Sequence, residues 1–327
     1  MPHSHSFIVY DPISKDPCEQ HPSWYPSLCL ILKERFQLPW TAKLQEAACA
    51  DCVLILTSEL DAETCMQLAK VNFIIVLFSG IYAQKFSAVT PDIDALLAEE
   101  QAVCEWMDLA LVPSHYAKKL LRSAYGTHLE SKIQVIGWPI NIDNFANIRS
   151  VSRDMNQILL GQRQDYDKNF LLEAEVCTEL LARGYKVIRA SSRSNPVLQD
   201  FALYAERHLG VPSQGHPEEY LSQCLESGFV LLTSPAETLC ITAIEAVAAG
   251  CIPVVPDHSA FQEWCHASNR YQPYSIVDIL RLIREAPINQ HKIAQYHPEQ
   301  FIKRLQTVIH DGLHWPQTKQ RFIPSHL

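Results

Sequence analysis

Short runs of β-branched and apolar residues alternate along this chain with longer stretches in which apolar positions recur every three or four residues. SFIVYD (6–11), CVLILT (52–57), FIIVLF (73–78), LALVPS (109–114) and KIQVIGWPI (132–140) are short and almost uniformly apolar, which predicts buried strands. Between them, SLCLILKERF, DAETCMQLAKV, PDIDALLAEEQAVCEWMD and HYAKKLLRSAYG carry helical spacing, two of them with Pro or Asp near the start. Strands that are apolar on both faces and alternate with helices predict a parallel sheet covered on both sides.

The polar, aperiodic stretch NIDNFANIRSVSRDMN (141–156) interrupts this pattern as a linker does. Alternation then restarts with QILLGQ, LLEAEVCTELLARG, KVIRASS, a further helical stretch, GFVLLTS, ITAIEAVAAG and CIPVVP, and HPEQFIKRLQTVIHDGLHWPQ predicts a final amphipathic helix. The expectation is an α/β protein of two Rossmann-like domains, 1–148 and 149–327, with the last helix packing back on the first. A chain of 327 residues is long enough to bury two cores.

Composition narrows the chemistry. With 47% hydrophobic and 19% charged residues the chain reads as a soluble globular protein. A net charge of −9 gives no broad attraction for nucleic acid or anionic lipid, and nucleic acid is not an expected partner. Lys118, Lys119 and Arg122 form a small basic helix face, best read as solvated. The 11 cysteines are odd in number and scattered through apolar segments, as reduced buried thiols are. Cys49 and Cys52 form a CxxC without a second ligand pair, and the 14 histidines include no HExxH, so no metal site is expected. The N-terminus lacks a basic region followed by an apolar run, and no uninterrupted apolar stretch approaches ~18 residues; a cytoplasmic protein without a transmembrane segment is expected.

The candidate site lies in SPAETLCITAIEAVAAGCIPVV (234–255). GFVLLTS predicts the preceding strand, Pro235 and Ala236 a turn, and ITAIEAVAAG a helix packed through small residues. Ligands of parallel sheets bind beyond the carboxyl ends of the strands, where helix N-termini offer N–H groups and partial positive charge. Glu237 falls in that loop and Glu245 further along the helix, eight positions on. Carboxylates accept paired hydrogen bonds from vicinal hydroxyls, so two in one crevice suit a sugar or a ribose.

This segment resembles the donor-binding motif of the GT-B glycosyltransferases of the large family 4 type, in which E-x7-E precedes small residues, Gly and PVV. The order of the second half is similar to that family over residues 157 to about 265. GQRQDYDKN places Arg163 and Lys168 five apart, like the family's GRxxxxKG, and GHPEEYLSQCLESGFVLLTS resembles the approach to the E-x7-E motif, beginning at Gly215 and His216. PDHSAFQEW sets Asp257 and Glu263 at the later acidic positions, with Ser259 and Ala260 where two glycines are usual.

The resemblance implies a retaining, metal-independent transfer of a hexosyl group from a nucleotide-sugar, which is a substrate and leaves no cofactor, to an acceptor that could be a sugar, lipid, protein or small molecule. It implies that Arg163 and Lys168 contact the donor diphosphate, together with the helix N-terminus at Thr238, Leu239, Cys240 and Ile241. Glu237 would hold the donor sugar as the catalytic carboxylate, Glu245 the ribose hydroxyls, and Gly215 and His216 would line the donor crevice. No glycine precedes Gly80, so the family's N-terminal Gly-rich loop has no counterpart, and Ser79 stands where a histidine is expected. A catalytically inactive GT-B protein that binds a nucleotide-sugar or a partner is therefore the alternative reading.

Overall fold

A computed structural model describes residues 7–11, 28, 31–56, 61–70, 72–78, 81, 92–143, 152–162, 166–189, 199–210, 212, 219–288 and 290–313. The chain divides into two compact units. The first draws its described residues from Met1–Ala83, Asp92–Pro139 and Pro298–Leu327, the second from Ile140–His297. Among the described residues no helix is long and apolar enough to cross a membrane.

The first unit is built on six parallel strands: β1 (Phe7–Tyr10), β2 (Trp40–Thr41), β3 (Cys52–Ile55), β4 (Phe73–Leu77), β5 (Leu109–Val112) and β6 (Ile133–Val135). Their order is β2-β1-β3-β4-β5-β6. Val53 lies opposite Ile74 and Leu54 opposite Ile75, and all four are fully buried, which is why these segments carry apolar residues at every position. Each such side chain contributes roughly 1.5–3 kcal/mol by leaving water. The Ala62–Ala69 helix starts at Asp61, whose carboxylate accepts from Thr64 N–H at 2.8 Å, and the His115–Tyr125 helix at Ser114, which accepts from Ala117 N–H at 3.0 Å. The Pro298–Leu313 helix belongs to this unit; Phe301 packs edge-on against Trp138, and Arg304 donates to the Ile136 carbonyl.

SLCLILKERF is not a full α-helix where it is described: Ile31–Arg35 form a single π-type turn that buries Ile31 and Leu32. Leu28, Ile31 and Leu32 are its buried described residues, while Lys33, Glu34 and Arg35 are exposed.

The second unit carries β7 (Asp154–Leu160), β8 (Lys186–Arg189), β9 (Ser227–Leu231), β10 (Ile252–Pro256) and β11 (Arg270–Tyr271), all parallel and ordered β11-β10-β9-β7-β8. β7 begins at Asp154, inside the stretch expected to be linker, because its first three residues, Asp154, Met155 and Asn156, are exposed and lack the continuous apolar run of a buried strand. The β7–β9 register shifts between Asp154 and Ile158. Gly228 makes this close approach feasible: a Cβ there would lie 2.8 Å from Met155 Cα and 2.9 Å from the Asp154 carbonyl oxygen. The helices Phe170–Ala182 and Ile276–Glu285 bury Phe170, Val176, Leu180, Ile279, Leu282 and Ile283 with Ile158, Phe229 and Val254 of the sheet.

Candidate donor site in the second unit

The site is assembled at the carboxyl ends of β7 and β9, neighbours in the sheet whose ends lie together because the strands are parallel. After β7 the chain passes Gly161 and Gln162 and, beyond residues 163–165, enters a 3-10 turn, Tyr166–Lys168, before the Phe170–Ala182 helix. After β9, residues 232–240 form the loop into the Ile241–Ala248 helix.

The Lys168 ammonium donates to Glu237 Oε1 at 2.8 Å and lies 3.4 Å from Asp167 Oδ2. The Lys168 and Glu237 side chains are only 12% and 13% exposed, so this pair is partly shielded from water and stronger than a surface contact. Glu245 is buried on the helix and accepts from the Tyr220 hydroxyl at 2.8 Å through Oε2; Tyr220 also donates to the Thr242 carbonyl at 3.3 Å. Burial, with the Glu245 carboxylate beside it, pushes the Tyr220 phenol well above its ordinary value, so it remains a donor. A buried carboxylate needs such a partner, and Tyr220 supplies it.

Cys240 is the N-cap of that helix, with a left-handed φ of 64° and no side-chain cap bond. Its thiol is driven well up by burial first and by the Glu237 carboxylate next, with Lys168 opposing, which places it among the charged groups of the site as an inert thiol. Thr238 and Leu239 are buried, and the Leu239 carbonyl accepts from Trp264 Nε1 at 3.3 Å. Ile241 opens the helix, so the N–H groups of its first turn lack intrahelical acceptors and offer partial positive charge.

Around this centre, Ala260 N–H donates to the Glu237 carbonyl at 3.2 Å, joining the loop after β10 to the loop after β9. Ser259 takes a φ of 52°, a conformation that favours glycine and fits its place at a position where glycine was expected. Asp257 forms an ion pair with Arg270 at 2.8 Å and accepts from Gln262 Nε2 at 3.0 Å, while Glu263 lies in the short Phe261–Trp264 helix. Burial holds His258 below its ordinary value, opposed by Asp257 and Glu237.

Of the residues singled out in the sequence, the structure thus brings Lys168 and Glu237 into contact and sets Glu245 on the adjoining helix. Arg163, Gly215 and His216, like Ser79 and Gly80, lie outside the described residues. Cys49 is exposed and Cys52 buried, with no disulfide at either, and burial raises the Cys52 thiol above its ordinary range. Lys118 and Arg122 both pair with Glu130, at 3.2 Å each.

Sequence reasoning missed Gln162, Thr233, Ser234 and Tyr220. Gln162 reads as a polar insertion before Arg163, yet it is buried: its Oε1 accepts from the N–H groups of Thr233 (3.1 Å) and Ser234 (3.2 Å), and its Nε2 donates to the Lys168 carbonyl at 2.7 Å. The only available signal was an amide at the end of an apolar strand, where a buried polar group needs partners from another element.

No family model and no curated protein sequence matches this chain. Solved structures do match in fold. A structure of HepE from Anabaena in complex with UDP and glucose superimposes with a TM-score of 0.68 at 14% identity, covering 94% of this chain and 100% of that one. The lipopolysaccharide outer core galactosyltransferase WaaB matches with a TM-score of 0.63 at 12% identity over 93% of this chain and 99% of that one. Sucrose-phosphate synthase from Thermosynechococcus elongatus gives 0.65 at 12% identity over 94% and 99%. Two parallel-sheet α/β domains and these neighbours together show that the chain has the GT-B fold, with a Rossmann-like sheet in each domain.

Proposed function

We propose that the protein is a glycosyltransferase of the family 4 type, moving a hexosyl group from a nucleotide-sugar to an acceptor with retention at the anomeric carbon and without a metal ion. The observation that carries this reading is the pairing of Lys168 with Glu237 beside the N-terminus of the helix that bears Glu245. A cation, a helix N-terminus and two carboxylates match the three parts of a nucleotide-sugar: diphosphate, sugar hydroxyls and ribose hydroxyls. HepE, which shares the fold, was solved with UDP and glucose.

In this reading the bond between the sugar C1 and the diphosphate oxygen breaks, and its electron pair stays on the phosphate. Lys168, Arg163 and the first-turn N–H groups around Thr238 to Ile241 stabilise the charge that develops there. The acceptor hydroxyl oxygen bonds C1, and its proton passes to the departing phosphate oxygen. Glu237 holds donor-sugar hydroxyls and Glu245 holds the ribose, and the assignment of Gly215 and His216 to donor binding comes from the sequence resemblance.

A second reading, a GT-B protein that binds the donor without transferring it, is favoured by one observation: no glycine precedes Gly80, where the resembled family places its Gly-rich loop. A thermal-shift panel of UDP-, GDP-, ADP- and CDP-sugars, followed by donor-hydrolysis and transfer assays, separates the two. A ligand present at 100 times its Kd should stabilise by about 2.7 kcal/mol. Stabilisation with turnover supports the transferase and stabilisation without any turnover supports the binding protein. If none of the four classes stabilises the chain, both readings fail.

A further inference from the structure

We infer that Gln162 is a positioning residue that holds Lys168 ready for a phosphate group. The inference rests on the assignment of Lys168 to the diphosphate, and the geometry behind it is independent of any ligand. Three hydrogen bonds pin the Tyr166–Lys168 turn to the ends of β7 and β9: Gln162 Nε2 to the Lys168 carbonyl (2.7 Å), Thr233 Oγ1 to that same carbonyl (3.0 Å) and Ser234 Oγ to the Asp167 carbonyl (3.3 Å). Gln162 links both sides, since its Oε1 accepts from the Thr233 and Ser234 N–H groups at 3.1 and 3.2 Å.

The orientation of the Gln162 amide follows from these neighbours. Its oxygen faces two N–H donors, while its nitrogen faces acceptors: the Lys168 carbonyl, Thr233 Oγ1 at 2.5 Å and Glu173 Oε2 at 3.2 Å. A flipped amide would set acceptor against acceptor and donor against donor. Behind it stands a fully buried ion pair: Arg189 Nη2 to Glu173 Oε1 at 2.5 Å, with Arg189 Nη1 donating to the Gln162 carbonyl at 3.0 Å. Gln162 thus couples the sheet interior to the backbone that carries the Lys168 ammonium. Glutamate would put an oxygen against the Lys168 carbonyl and the Glu173 carboxylate, and methionine would keep the shape without the bonds.

The test compares Gln162→Met, Gln162→Glu and Lys168→Ala in the full chain. Each is titrated by calorimetry with whichever of UDP, GDP, ADP and CDP stabilises the wild type, and with the matching nucleoside. Gln162→Met should weaken the nucleotide by on the order of tenfold, with Gln162→Glu at least as severe, while nucleoside affinity changes less than about twofold. Equal losses for nucleotide and nucleoside would reveal a structural role alone and overturn the inference. If Lys168→Ala weakens the nucleotide and Gln162→Met does not, positioning fails while the diphosphate assignment stands; if Lys168→Ala has no effect, the assignment itself fails. Hydrogen exchange of the ligand-free protein gives a separate readout: Gln162→Met should speed exchange at Thr233 and Ser234, and unchanged protection at both would also overturn the inference.

Discussion

Removing the Lys168 ammonium should separate nucleotide binding from sugar binding. In the free protein it lies 2.8 Å from Glu237 Oε1. At an effective dielectric of about 20, two unit charges at that spacing attract by roughly 6 kcal/mol before any desolvation is counted. A donor phosphate does not gain this in full, because it draws on an ammonium that Glu237 and Asp167 already share. The net loss in Lys168→Ala is therefore that of one charge-assisted hydrogen bond, about 1.5–3 kcal/mol, or roughly a 10- to 150-fold rise in nucleotide Kd. Glu237→Gln acts in the opposite sense: it neutralises the competing carboxylate, so affinity for the bare nucleotide should hold or improve, while the intact nucleotide-sugar or its turnover suffers. Isothermal calorimetry of both variants with nucleotide and nucleotide-sugar measures the contrast. If Glu237→Gln weakens the bare nucleotide as much as Lys168→Ala does, the division of roles between the two side chains is wrong.

Three further outcomes follow from the same geometry. Glu245→Gln keeps the shape of a buried side chain but weakens its acceptance of hydroxyls, so calorimetry should show lower affinity even for bare nucleotide; unchanged affinity would remove Glu245 from the ribose. Glu173→Gln leaves the fully buried Arg189 guanidinium without its counter-charge, and urea unfolding should show a loss of about 3–5 kcal/mol, with a loss below ~1 kcal/mol contradicting the pairing. Burial, with His266 nearby, holds His291 at about 4, and His266 N–H donates to its Nδ1 at 3.2 Å. Between that value and the ordinary ~6.5 only the unfolded chain binds this proton. Its contribution to stability is complete above pH ~6.5 and lost as pH falls toward about 4. His291→Gln should accordingly lose less stability than wild type between pH 7.5 and 4.5, and parallel urea midpoints across that range would refute the assignment.

What the sequence determined is what local pattern can carry. CVLI, FIIVL and LALV declare buried parallel strands because each is apolar on both faces, and Asp61 announces a helix start through its own capping bond. The E-x7-E segment is equally local, since both carboxylates lie within one loop-and-helix unit. The strands Trp40–Thr41 and Arg270–Tyr271 were not legible, because two residues show no periodicity and gain their hydrogen bonds only from a neighbour already in the sheet. The partners of the site residues were hidden for a related reason. Lys168 and Glu237 stand 69 positions apart, Gln162 and Thr233 71, and Tyr220 and Glu245 25. No spacing rule joins them. The first two pairs meet because β7 and β9 are adjacent and in register at Leu160 and Leu231, so the loops leaving both strands start side by side; Tyr220 and Glu245 meet where the helices flanking β9 come together. Strand order is a property of the whole sheet, settled by which apolar faces bury one another, and only the tertiary structure could turn an insertion-like glutamine into the link between them.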